Sequence, residues 1–90
     1  MASRTLIKGA QADCPTATGS ASTFGNATVV RLCNNGGTAR LVTVVEAQNG
    51  TVLGTFTMPG NTVEFVEKNP THCIFAGDSS VKGSAAGFTN

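Results

Sequence analysis

The dipeptide Asn49-Gly50 lies between two segments whose residues suit adjacent β-strands. Arg40–Gln48, before it, is rich in Val, and Thr51–Met58, after it, alternates between two sets of side chains, one of them mostly Thr. A period of two is typical of a strand that buries one face. Asn-Gly readily adopts the positive φ angles of a tight hairpin turn. The sequence therefore predicts an antiparallel hairpin over residues 40–58, which strongly constrains the fold.

Turn-forming residues divide the rest of the chain in the same way. Asn34-Asn-Gly-Gly37 has the composition of a tight hairpin turn, and Pro59-Gly60-Asn61 and Asn69-Pro70 also separate extended segments. No 3.6-residue period lasts long enough to predict a helix. The further predicted strands are Arg4–Lys8, Ala27–Cys33, Thr62–Lys68, Thr71–Ala76 and Val81–Phe88.

Six or seven strands spaced about eight to twelve residues apart are typical of a sandwich or barrel. Nine Val and thirteen Thr against four Leu favour strands over helices. We predict an all-β fold, a single small antiparallel β-sandwich or barrel that is immunoglobulin-like or jelly-roll-like. The domain covers residues 1–90, and within it residues 1–22 form an N-terminal strand followed by an irregular arm over residues 9–22.

The charge content excludes several classes of function. Only 12% of the residues are charged and the net charge is +1, whereas about 25% is usual for a globular domain. Six basic residues spread along the chain do not make a footprint for nucleic acid or for an anionic membrane. The apolar runs are too short to span a bilayer. We therefore expect neither nucleic acid nor membrane as a partner.

The residues that most often carry chemistry are poorly placed for it. Cys14, Cys33 and Cys73 are odd in number, and the first residues do not resemble a secretory signal, so we expect reduced, buried thiols. His72 and Cys73 are neighbours, and neighbours on a strand point to opposite faces. Cysteine spacings of nineteen and forty residues do not match a structural zinc site. We predict a non-enzymatic protein without catalytic residues, cofactor or metal.

A surface rich in Thr, Ser, Asn and Gly costs little to desolvate, which favours burial against other proteins. Basic residues on strands are typical of strand edges and rims. The residues predicted to bind a partner are Arg4, Thr5, Leu6, Ile7, Lys8, Arg40 and Lys68.

The segment Thr57-Met-Pro-Gly-Asn-Thr-Val-Glu-Phe-Val-Glu-Lys-Asn-Pro-Thr-His72 combines a Pro-Gly turn, an alternating strand and Lys-x-Pro-Thr. It resembles a pattern in small virion proteins of tailed bacteriophages, particularly those of marine cyanobacteria. The opening Met-Ala-Ser-Arg-Thr-Leu-Ile-Lys-Gly and the closing Val81-Lys-Gly-Ser-Ala-Ala-Gly-Phe88 are similar to the ends of that family. His72 stands where the family pattern has an acidic residue.

The resemblance implies a capsid decoration, or cement, protein that binds the outside of a phage head and stabilises contacts between capsid subunits. It implies location in the virion, after assembly in the host cytoplasm, with the major capsid protein or other virion proteins as partners and several identical copies per particle. On this hypothesis the 9–22 arm orders when it binds. Two alternatives stay open: a tail, neck or fibre-attachment subunit, and a small soluble module that binds a carbohydrate or another ligand.

Overall fold

The computed structural model describes the backbone of residues 4–89 and the side chains of residues 6–87. This part of the chain contains eight β-strands and one turn of 3-10 helix over Thr18–Ser20. In chain order the strands are β1 (Arg4–Ile7), β2 (Ala12–Asp13), β3 (Val29–Asn34), β4 (Arg40–Val45), β5 (Val52–Met58), β6 (Thr62–Glu67), β7 (Cys73–Ala76) and β8 (Val81–Thr89).

The strands form two antiparallel sheets. The large sheet has the order β1-β8-β3-β6, and β2 pairs with β8 on the same side as β1. The small sheet has the order β5-β4-β7. The prediction of an all-β sandwich is confirmed, and the two sheets do not close into a barrel.

The core lies between the two sheets. Both sheets contribute fully buried aliphatic side chains to it, because alternate residues of each strand point inward. Val30 and Leu32 come from β3, and Val42 and Ile74 come from the small sheet. Phe24, Ala27, Val44, Phe56 and Val66 pack around this cluster.

The predicted hairpin is confirmed, because β4 and β5 pair from Arg40↔Met58 to Val45↔Val52. Residues 46–51 connect the strands, and Asn49 adopts the expected left-handed conformation with φ 58°, whereas Gly50 does not have a positive φ. The expectation that β5 buries one face is met only at its end, where Phe56 is partly buried and Met58 is buried. The sequence pattern does not show that β5 is an edge strand, so it could not predict this exposure.

The turn after β3 differs from the predicted tight hairpin. β3 and β4 belong to different sheets, and the positive φ angles expected for this turn are not found among residues 34–37. The buried Asn34 amide holds the connection instead. Its Nδ2 donates to the carbonyls of Thr38 and Met58 at 2.9 and 3.1 Å, and its Oδ1 accepts from Gly36 N at 3.1 Å.

Much of the predicted irregular arm is packed against the domain. Ala76 N donates to Pro15 O at 2.8 Å, and Ser22 and Ile74 exchange two backbone hydrogen bonds of 3.1 and 2.8 Å. Residues 15–22 therefore cover the outer edge of β7, and we call them the covering segment. These residues pack on the domain within a single chain: Ala21 is buried with Val45 and Cys73 on the outer face of the small sheet.

Candidate functional site

The N-terminal strand β1 occupies one edge of the large sheet, as the sequence prediction of a partner-binding strand requires. Leu6 and Ile7 are about half exposed, and Lys8 is exposed. Lys8 N donates to Ala85 O at 2.8 Å, so the chain stays attached to β8 beyond the end of β1. The side chains of Arg4 and Thr5 lie outside the described residues.

Arg40 lies on β4, in the other sheet; one end of its guanidinium faces Asp78, whereas its buried Nε has no hydrogen-bond partner among the described residues. Its Nη2 lies 3.9 Å from Asp78 Oδ2 across the β7–β8 turn. Hydrogen bonds from Ser80 to the Asp78 carboxylate, together with Arg40, hold the pKa of Asp78 below its usual range. This geometry makes Arg40 a support for the β7–β8 turn.

From the sequence, the basic residues are predicted to be edge-strand and rim charges; Lys68 does follow the edge strand β6, but its side chain is not exposed at the rim. The residue is only 7% exposed, and its Nζ donates to the carbonyls of Ala27, Asn69 and Pro70 at 2.6, 3.4 and 3.5 Å. Burial lowers the pKa of the ammonium group. Lys68 therefore ties the end of β6 to the loop before β3, and its ammonium group is withdrawn from the surface.

The sequence did not single out most of the apolar side chains that the structure exposes. Seven large apolar residues in the described part of the chain are between 40% and 55% exposed. Besides Leu6 and Ile7, they form two groups. One lies on the β4–β5 hairpin and comprises Leu41, Val52 and Leu53, and the other lies on β6 and comprises Val63 and Phe65.

The two sheets end in four outer strand edges among the described strands, and the four are protected differently. The β7 edge carries the covering segment. The β6 strand contains Glu64 and Glu67, and β1 begins with Arg4 and is followed by Lys8. Covering loops and charged residues are common ways to prevent unwanted strand pairing. Among the described residues the β5 edge has neither, and residues 47–63 contain no charged residue. Its one irregularity is a register shift against β4 between Val44 and Val45.

A cavity of about 490 Å³ opens between the chain around Lys8, the loop over residues 22–28 and β8. Phe24, Gly25 and Asn26 in its wall adopt positive φ angles of 51°, 72° and 57°. This conformation is strained for a bulky residue. Phe24 keeps it because its ring lies against Gly83, where any Cβ would come within 2.6 Å of a ring carbon.

Thiols and the single imidazole are not assembled for chemistry in the described residues. Burial raises the pKa of the Cys14 thiol to about 12, which suppresses the reactive thiolate. Cys73 Sγ lies 3.8 Å from Thr71 O, whereas His72 Nε2 lies 3.5 Å from Asn69 Nδ2. Within residues 4–89 no three His, Cys, Asp or Glu side chains come together as a possible metal site.

Comparison with models of protein families, with curated proteins and with solved structures finds no significant match for this chain. The part of the chain that the structure describes contains no helix long and apolar enough to cross a membrane. The strand edges and the exposed apolar residues beside them are therefore the features on which a functional proposal rests.

Proposed function

We propose that the protein is a non-enzymatic structural protein of a phage virion, a decoration protein that binds the outside of the head and stabilises contacts between capsid subunits. The observation that carries the proposal is the exposure of large apolar side chains on open strands of a small sandwich. Such residues lose contact with water when a partner covers them, which favours association. The assignment to a phage head rests on the sequence resemblance given above.

The low charge of the surface and its open strand edges favour binding through a broad, neutral contact and through main-chain hydrogen bonds. Charged residues are few, and the cores of protein interfaces are depleted in charge. Open edges can accept an extended segment of a partner through main-chain hydrogen bonds. In this proposal β1 contacts the capsid through the exposed side chains of Leu6 and Ile7, because the charged residues at its ends disfavour strand pairing.

The test is co-sedimentation of the purified protein with undecorated capsids, followed by a count of bound copies per particle. We expect saturable binding at hundreds of copies. A Leu6→Asp/Ile7→Asp variant should lose binding, because the charges would be buried in the interface. A Thr71→Asp variant, which adds a negative charge on an exposed turn outside both β1 and β5, is the control. Absence of binding by the wild type overturns a role on the head, and six or twelve copies per particle would identify a tail or neck subunit.

The cavity beside Lys8 favours a second candidate function, the binding of a small ligand. Its volume falls within the usual range of ligand sites. Its lining is mostly small residues and backbone, with Phe24 as the one aromatic side chain and Lys8 as the one charged group among the lining residues. A screen of anionic and saccharide ligands by thermal shift tests this candidate, since a bound ligand raises the melting temperature with its concentration.

A further inference from the structure

We propose that β5 is a self-association edge: it pairs antiparallel with β5 of a second copy of this chain. The two small sheets then join into one continuous sheet of six strands. The inference goes beyond the proposed function and stands on the geometry of β5, whatever particle contains the protein.

The first support is the direction of the backbone groups. Gly77 N donates to Leu41 O at 2.9 Å, so the backbone of Leu41 faces the β7 side of β4. Backbone groups alternate along an antiparallel strand, which turns Val42 toward β5 and makes Val42↔Phe56 a hydrogen-bonded pair. The N–H and C=O of the next residue, Thr55, therefore point outward from the sheet. β4–β5 is the one pairing of β5 in the described structure.

The second support is that the edge is complementary to itself. A two-fold axis at Thr55 places this residue opposite the partner's Thr55 and brings Thr57 near the partner's Leu53, where the regular stretch of β5 ends because its register against β4 shifts there. Thr57, two residues along, has the same outward backbone direction as Thr55. Threonine pairs across strands stabilise a sheet by side-chain hydrogen bonding and packing. Pairing also shields Leu53 and its neighbour Val52, each about half exposed, from water.

The third support is charge. Residues 47–63 are uncharged, so two copies meet without like charges at this edge. Antiparallel pairing of two β6 strands, in contrast, places four carboxylates in one contact, Glu64 and Glu67 of each copy, which is unfavourable. The net charge of +1 adds little repulsion between whole molecules. A second copy therefore fits β5 better than it fits β6.

The size of the contact predicts a weak dimer. A strand of seven residues is about 23 Å long. Such an edge buries well below the roughly 800 Å² per partner of a standard interface, so we expect a Kd on the order of 100 μM. In a particle that holds copies side by side, the effective concentration is raised and the same contact becomes populated.

Sedimentation equilibrium from about 10 μM to about 1 mM, a range that brackets the expected Kd, tests the proposal. Wild type is compared with Thr55→Lys, Thr55→Pro and the control Thr71→Lys. The control makes the same charge change on an exposed turn. Hydrogen exchange of the wild type at both ends of the range identifies the amides that become protected.

We expect a monomer–dimer equilibrium that Thr55→Lys weakens at least about tenfold, because two ammonium groups face each other at the axis. Thr71→Lys should change the Kd less than about twofold. Proline at residue 55 should also prevent pairing, because it removes the outward N–H. The amides of Thr55 and Thr57 should exchange more slowly at high concentration.

A wild type that stays monomeric to about 1 mM overturns the proposal. The proposal is also overturned if Thr55→Lys dimerises like the wild type, or if slower amide exchange at high concentration is confined to β1 or β6. Assembly of the wild type into open-ended filaments would overturn it as well. Because Thr55→Lys and amide exchange each test the edge, failure of the proline variant to fold leaves the test intact. A monomer that still binds capsids contradicts this inference alone, whereas a β5 dimer that ignores capsids contradicts the proposed function alone.

Discussion

The two outer strands of the small sheet, β7 and β5, differ in what lies along their edges. On one side the covering segment, residues 15–22, runs along β7 and satisfies its outward backbone groups at Ile74 and Ala76. On the other side β5 has exposed apolar side chains, outward backbone groups and no charged residue, and no segment among the described residues covers it. The difference shows that the irregular N-terminal chain completes one edge of the sandwich, whereas the other edge is left available for pairing.

The largest expected effect is the difference in the free energy of unfolding lost on truncating a buried side chain of β7 and an exposed side chain of β5. Ile74→Ala, on β7, should destabilise the protein by about 2–5 kcal/mol, because it leaves a cavity among fully buried core residues. Leu53→Ala, on β5, should cost less than about 0.5 kcal/mol, because its side chain is half exposed in the monomer. Urea unfolding followed by far-ultraviolet circular dichroism at low protein concentration measures both. Similar losses for the two variants would contradict the difference in burial between these two side chains of the small sheet.

A second prediction, with a smaller expected loss of stability, tests whether the covering segment protects β7. Ser22→Pro removes the N–H that donates to Ile74 O at 3.1 Å and should cost about 2 kcal/mol. Thr55→Pro is the matched control, because its N–H points outward, and it should cost less than about 1 kcal/mol. Unfolding curves give both values. In Ser22→Pro the amides of Ile74 and Ala76 should also exchange faster, and unchanged exchange there would show that the segment does not protect β7.

The local part of this architecture could be predicted from the sequence. Alternation and Asn49-Gly50 identified the 40–58 hairpin, because strand pattern and turn chemistry depend on nearby residues. The openness of an edge depends on sheet order, and no local pattern shows that β8 lies between β1 and β3. Lys68 illustrates the same limit, because one of its carbonyl partners is Ala27, far away in the chain. The predicted binding roles of Leu6 and Ile7 stay predictions, although both side chains are exposed.

The last and smallest effect concerns Cys14, which precedes the covering segment and anchors it through Cys14 N to Val81 O at 2.8 Å. Burial raises the pKa of its thiol from 9.0 to about 12. The Cys14 thiol ionises at a lower pH in the unfolded protein than in the folded protein. Its contribution to the free energy of unfolding is therefore fully present below pH 9 and is lost as the pH rises toward 12. At pH 10 this loss amounts to about 1 kcal/mol. The free energies of unfolding of wild type and Cys14→Ala, measured at pH 7 to 10, should therefore converge as pH increases. A difference between the two that stays constant over this range would mean that water reaches Cys14 and that the chain entering the covering segment is open.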